Sequence, residues 1–375
     1  MTVKWADIHK NIIDHAKVYG IPVSGFFELT SRCNFHCKMC YICTTPEDKP
    51  FLENEMTASQ WISIGEQARD AGLVFLTLTG GEIFLRKDFF EIYEAYSEMG
   101  FNIVLFTNGS LITPDKVKRI ARKPPSKISI TIYGANPETY GRVTGHPEGF
   151  ENTLSAVRAL LSENIKVELK TTVIKDNFEE FRAISNIAEN LGVHLGIVNY
   201  IGPRREGCGT DPENNRLDPV VLAKYEKMII DYNTKKSEKA RNDTKSNAFI
   251  EDDVMIGIPD DLEKDALLKL NSQSAFRCSA TKSAFWLTWD GRLTPCGLLN
   301  EPFANVKKDG FVRAWESLRE AGISVPACSE CKECNYRIQC IACPARLKIE
   351  TGSFIKPAPY LCTLAKARSD LDVHY

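Results

Sequence analysis

The chain has 375 residues, of which 43% are hydrophobic and 26% charged, and its formal net charge is −2. That length allows a barrel-sized domain plus a smaller one, and the near-zero charge gives no global attraction to nucleic acid or to an anionic membrane. No apolar run reaches the roughly eighteen residues that would signal a transmembrane helix. Thirteen cysteines without a signal-peptide pattern predict reduced, metal-holding thiols in a cytoplasmic protein.

In chain order, Met1 to Gly20 interleaves Lys4, Asp7, Lys10, Asp14 and Lys17 with Trp5, Ile8 and Ile12, which predicts an amphipathic helix. Val23–Leu29 reads as a first strand and leads directly into Cys33, Cys37 and Cys40. Thr57 to Gly72 reads as a helix, with Thr57 as N-cap and Gln60 as its capping-box partner. Further strands are predicted at Leu73–Thr79, Asn102–Thr107, Lys127–Tyr133, Ile165–Val173 and Val193–Tyr200. Helical segments such as Lys87–Met99 and Glu151–Ser162 lie between them. Six strands joined by crossovers imply a parallel sheet, and six units are too few for a closed eight-stranded barrel. The expected fold class is therefore α/β, with an open, partial barrel.

Two charge-rich stretches have plain explanations. Lys116 to Lys127 holds six basic residues, but it lies on an outer helix with no interleaved aromatic, so it reads as a solvated face. Thr234 to Asn247 is polar without apolar periodicity and reads as a linker. The expected organisation is an N-terminal helix over 1–20, a barrel over 21–230, a linking region over 231–270 and a cysteine-rich domain over 271–375.

The first three cysteines have the spacing C-x3-C-x2-C. A four-iron cubane takes four ligands, usually thiolates, so three close thiolates leave one iron open to a small molecule. The alternative is a zinc knuckle with Cys43 or His36 as fourth ligand, but zinc sites join two ligand pairs across a longer loop. Other motifs fall at carboxyl ends of strands, where parallel α/β sheets place their chemistry. Thr79-Gly80-Gly81-Glu82 combines glycines that admit a close backbone approach with a carboxylate that accepts from an ammonium group. Downstream, Cys278, Cys296, Cys328, Cys331, Cys334, Cys340, Cys343 and Cys362 match the eight ligands of two further four-iron clusters.

These arrays resemble the radical S-adenosylmethionine (radical SAM) superfamily with a C-terminal SPASM domain, together over roughly 21–365. The resemblance implies a partial (β/α)6 barrel and three [4Fe–4S] clusters, with S-adenosylmethionine bound at the open iron of the Cys33, Cys37 and Cys40 cluster. It assigns Gly80, Gly81 and Glu82 to the methionine amino group, although Ile83 stands where the family has proline. Ser129 or Thr131, with Arg142, would hold the carboxylate through a bidentate pair; Tyr133 replaces the family's acid. Met39, Val198 and Asn199 would face the adenine, and Tyr41 and Asn108 complete the candidate contacts. Of the downstream thiols, Cys278, Cys296, Cys343 and Cys328 would hold one auxiliary cluster, and Cys331, Cys334, Cys340 and Cys362 the other. Two departures from the family pattern are the shorter Cys340–Cys343 spacing and the extra Cys328. Cys43 and Cys208 fit neither array, and Cys208 is a candidate substrate-side or spare ligand.

The implied reaction is reductive cleavage of S-adenosylmethionine to a 5′-deoxyadenosyl radical, which abstracts hydrogen from the substrate. The general base and other catalytic side chains are not legible. The leading substrate expectation is a ribosomally made precursor peptide that is oxidised or cross-linked. A separate leader-binding protein and a flavodoxin- or ferredoxin-type electron donor are the implied partners. The alternatives are a sulfatase-maturing, formylglycine-generating enzyme, an enzyme acting on tRNA or a small molecule, and a non-enzymatic electron carrier.

Overall fold

The computed structural model describes residues 5–42, 49–205, 211–243 and 275–373; Cys43 and Cys208 lie outside them. Helix Trp5–Tyr19 opens the chain. Six strands follow at the predicted places: β1 (Ser24–Glu28), β2 (Phe75–Thr79), β3 (Asn102–Thr107), β4 (Lys127–Thr131), β5 (Val167–Thr172) and β6 (His194–Val198). Each pairs in parallel with the next. Helices Ala58–Asp70, Phe89–Glu98, Pro114–Arg122, Gly149–Ser162 and Phe181–Leu191 form the crossovers. The first of these starts at the predicted capping box, with the Thr57 side chain accepting from Gln60 N and the Gln60 side chain accepting from Thr57 N.

The sheet does not stop at six strands. Three more, β7 (Ala284–Leu287), β8 (Arg292–Thr294) and β9 (Ala304–Asn305), extend it to nine in the order β6-β5-β4-β3-β2-β1-β7-β8-β9. Strand β7 pairs in parallel with β1, in the register Phe26↔Trp286, while β8 and β9 are antiparallel. The cysteine-rich region thus shares one hydrogen-bonded sheet with the barrel.

Strand alternation sorts the side chains into two faces. Phe27, Leu76, Leu78, Ile103, Leu105, Ile128, Ile130 and Leu169 are buried under the helices in the main core. Phe26, Thr77, Phe106, Lys170 and Trp286 point to the opposite, inner face and are only half-buried, so that face lines an accessible lumen. Helix Pro219–Asp243 carries the chain through the first ten residues of the expected linker; 244–274 lie outside the described residues. This helix packs on helix Pro359–Asp370, and between them Arg368 and Glu226 form a fully buried ion pair at 2.6 Å. Among the described residues no helix is long and apolar enough to cross a membrane.

Candidate functional site

The loop after β1 carries the first three cysteines and is held from several sides. Cys33 and Cys37 are buried and Cys40 half-buried. His36 N and Lys38 N donate to Thr144 O and Val143 O, at the end of helix Pro137–Thr144. Phe35 packs against Tyr133, Tyr140 and His146. On the other flank the Arg32 guanidinium binds Glu55, and the buried Arg86 donates to Leu29 O and Met56 O. Cys40 lies close enough to both other thiols to raise their pKa, and Cys33 raises that of Cys37. Burial is the main cause and pushes Cys33 up to about 12; Glu82 and Cys40 add to it.

The Gly80-Gly81 pair has a more specific role than the sequence suggests. A Cβ on Gly80 would lie 2.4 Å from Thr30 O, and one on Gly81 2.2 Å from Arg32 O. Gly81 N and Glu82 N donate to those same carbonyls at 2.8 Å. The close approach is therefore to the backbone of the cysteine loop itself, which the glycines dock onto β2. The buried Glu82 carboxylate accepts from Phe84 N, Thr107 Oγ1 and Asn108 N. Burial raises its pKa in spite of those donors. Asn108 reaches back, donating through Nδ2 to Asn34 Oδ1 at 3.0 Å and toward Cys33 Sγ at 3.8 Å.

One corner thus gathers Cys33, Cys37, Cys40, Gly80, Gly81, Glu82 and Asn108, with Met39 buried beside them. Tyr133, two residues past the end of β4 and in the place of an acid, hydrogen-bonds the Cys37 thiol. The remaining predicted contacts are engaged elsewhere in this structure. Arg142 donates to Glu138 and Thr139 of its own helix. Ser129 donates to Glu168, and Asn199 to Glu226. Thr131 is half-buried opposite Lys170, and Val198 ends β6 largely exposed.

Sequence reasoning missed the residues that join this corner to the C-terminal region. Arg205, beyond β6, binds the buried Glu28 at the end of β1, and Trp286 Nε1 of β7 donates to the same carboxylate at 2.8 Å. The Arg205 guanidinium lies 5.4 Å from the Tyr41 ring. Tyr41 lies within electrostatic reach of Cys40 and Cys296: burial raises its pKa first, and Glu28 and these two thiols contribute. A charged residue on an inward-facing strand position, as Glu28 is, was the available signal.

The C-terminal thiols fall into two neighbouring sets. Cys278, Cys296 and Cys343 act on one another electrostatically, and burial pushes Cys296 up to about 12. With Cys328 and Cys331 they line a cavity of about 960 Å³. Cys331, Cys334, Cys340 and Cys362 line a smaller one of about 150 Å³. Cys328 sits at the boundary: it lines the larger cavity, yet it hydrogen-bonds the Cys331 thiol. Among the described residues no three His, Cys, Asp or Glu side chains converge on a single metal-ion position.

Residues 27–187 match the Radical SAM superfamily. An AdoMet-dependent heme synthase of Methanosarcina barkeri (strain Fusaro / DSM 804) is 27% identical over 343 residues, spanning 89% of this chain and 94% of that protein. Among solved structures, Streptococcus suis SuiB bound to precursor peptide SuiA has a TM-score of 0.68 at 17% identity, covering 95% of this chain and 79% of SuiB. Native anSMEcpe with bound AdoMet gives 0.67 at 16%, covering 93% and 96%. The protein is a radical SAM enzyme with a cysteine-rich, SPASM-like C-terminal region. Its fold is the α/β fold of that class, and S-adenosylmethionine and a [4Fe–4S] cluster are its cofactors.

Proposed function

We propose that the enzyme abstracts hydrogen from a peptide, oxidising or cross-linking it, and that it holds three [4Fe–4S] clusters. Cys33, Cys37 and Cys40 hold the cluster that binds S-adenosylmethionine. Cys278, Cys296, Cys343 and Cys328 hold the first auxiliary cluster, and Cys331, Cys334, Cys340 and Cys362 the second. All-thiol donor sets suit iron–sulfur clusters, and the two C-terminal sets line cavities. Reduced and loaded, the first cluster and S-adenosylmethionine supply a hydrogen-abstracting radical. Glu82 and the Gly80-Gly81 turn orient the methionine end beside Cys33. The organisation proposed is a barrel over 21–230 and a cluster-bearing domain from 271, with a flavodoxin- or ferredoxin-type protein as electron donor.

The observation that carries the peptide reading is the edge strand β6. It ends the sheet and pairs only with β5 among the described residues, and its side chains are half-buried or exposed throughout. An extended peptide can hydrogen-bond to such an edge and send alternate side chains into the lumen. The SuiB structure, alike over nearly the whole chain, holds a precursor peptide. A second reading follows from the heme synthase relative: a small-molecule substrate of the porphyrin class in place of a peptide. Anaerobic turnover with candidate precursor peptides decides between them. A peptide lighter by two hydrogens, in step with 5′-deoxyadenosine, is the expected result. Dependence of 5′-deoxyadenosine on a porphyrin, with every peptide unchanged, would overturn it.

A further inference from the structure

The two cavities lined by the C-terminal thiols share a wall. Arg277, Cys331 and Arg337 line both, while Lys332 and Arg346 line the larger one alone. Four cationic side chains thus face the larger cavity and two face the smaller. Among the described residues no Asp or Glu lines either. Arg337 donates to Cys331 O and Arg346 to Ile341 O, both at 2.6 Å. These neutral carbonyls leave the positive charges uncompensated. Arg277 and Arg337 also stand within electrostatic reach of each other, and such like charges destabilise one another unless an anion lies beside them.

The corner of Cys33, Cys37 and Cys40 has the opposite character. The buried Glu82 carboxylate acts on Cys33 there. The cations of that loop are paired, Arg32 with Glu55 at 2.9 Å and Lys38 with Asp176 at 3.0 Å. A four-iron cluster on four thiolates is an anion, and each electron it takes up makes it more negative. Neighbouring cations therefore favour the reduced form, and neighbouring carboxylates oppose it.

We propose that Arg277, Lys332, Arg337 and Arg346 form a cationic cradle that sets both auxiliary clusters at a higher reduction potential than the cluster of Cys33, Cys37 and Cys40. The proposal rests on the reading that the chain holds three clusters. Arg277 and Arg337 act on both auxiliary clusters through the shared wall, and Arg346 acts on the first alone. Cys343 accepts from Arg346 N, and the Arg346 guanidinium favours the same thiolate. The half-buried Arg337 and Arg346 carry most of the effect, since water screens the exposed Arg277 and Lys332. Glu330 acts on Cys362 from outside the smaller cavity, so the cradle is weaker at the second cluster.

The test is a potentiometric titration of the cluster-loaded enzyme without S-adenosylmethionine, followed by electron paramagnetic resonance. Cys296→Ala with Cys343→Ala, and Cys340→Ala with Cys362→Ala, assign the auxiliary signals. In the native chain both auxiliary clusters are expected to be reduced before the Cys33, Cys37 and Cys40 cluster. An auxiliary cluster reduced after it overturns the proposal, even if every variant fails to fold. Arg277→Gln with Arg337→Gln is expected to lower both auxiliary potentials, by about tenfold in the redox equilibrium or 59 mV for one electron. Arg346→Gln is expected to lower only the first, and Arg337→Lys, which keeps the charge, to leave both near their native values. Unmoved potentials in fully loaded variants overturn the proposal, as does an equal shift of all three clusters. Iron analysis tests the underlying reading separately. About twelve irons per native chain support three clusters whatever the potentials; about four would overturn that reading and the cradle with it.

Discussion

Arg205 donates through Nη2 to both carboxylate oxygens of Glu28, at 2.8 and 3.1 Å, and neither side chain is more than 7% exposed. The pair ties the segment after the last barrel strand to the end of the first, beside Tyr41 and Trp286. Arg205→Ala leaves the Glu28 carboxylate buried against Trp286 alone. Breaking a buried pair in this way is expected to cost about 3–5 kcal/mol, read by anaerobic denaturant unfolding. A loss under about 1 kcal/mol would show that water replaces the guanidinium.

Gly81 gives a sharper test of how the cysteine loop is held. A methyl group there meets backbone, the carbonyls of Ser31 and Arg32, and no flexible side chain can move aside. Gly81→Ala is expected to lose about four irons per chain, one cluster's worth, while the auxiliary clusters stay loaded. Iron analysis with electron paramagnetic resonance of the reduced protein checks this. Full loading would mean that the loop tolerates a shift of tenths of an ångström.

Much of this was legible in the sequence, for identifiable reasons. The six barrel strands were visible because their outer positions, such as Leu76, Leu78, Leu105 and Ile130, must be apolar to bury against helices. The cysteine arrays were visible as short, repeated spacings, and the structure gathers the C-terminal ones around two cavities. Strand β7 beside β1 was not visible: Phe26 and Trp286 are neighbours across 260 positions, and no local pattern encodes which edge a distant strand joins. Glu28, Glu168 and Lys170 were passed over because a lone charge in a strand reads as surface. Their shared inward parity, against buried apolar neighbours on both sides, was the signal available.

Substituting thiols in pairs reads out the cluster assignment. Cys296→Ala with Cys343→Ala is expected to remove about four irons and leave two clusters; Cys340→Ala with Cys362→Ala is expected to remove a different four. Cys328→Ser decides the boundary position. It is expected to deplete the cluster in the larger cavity, where its side chain lines the wall. Depletion of the cluster lost in the Cys340/Cys362 variant would instead assign Cys328 to the side of Cys331.

The Glu168 cluster makes a pH prediction. Burial pushes its carboxyl up, but hydrogen bonds from Lys127 and Ser129 and the charge of Lys170 outweigh that and hold it below the usual range. A carboxyl depressed on folding contributes stability above its unfolded pKa, about 4.3, and loses it as the pH falls through the lower folded value. The native chain is therefore expected to lose stability more steeply than Glu168→Gln below about pH 4.3. Parallel acid profiles of the two would refute the linkage.

The position of β7 has a consequence for dissecting the molecule. Strand β1 leads into the loop of Cys33, Cys37 and Cys40, and its outer partner is supplied entirely by the C-terminal region. A barrel expressed without residues 275–373 would present Ser24, Gly25, Phe26 and Phe27 as a raw, flat sheet edge. Such edges recruit one another. The cysteine-rich region is thus also the chain's safeguard against self-association, and cutting it away trades a folded enzyme for an aggregate.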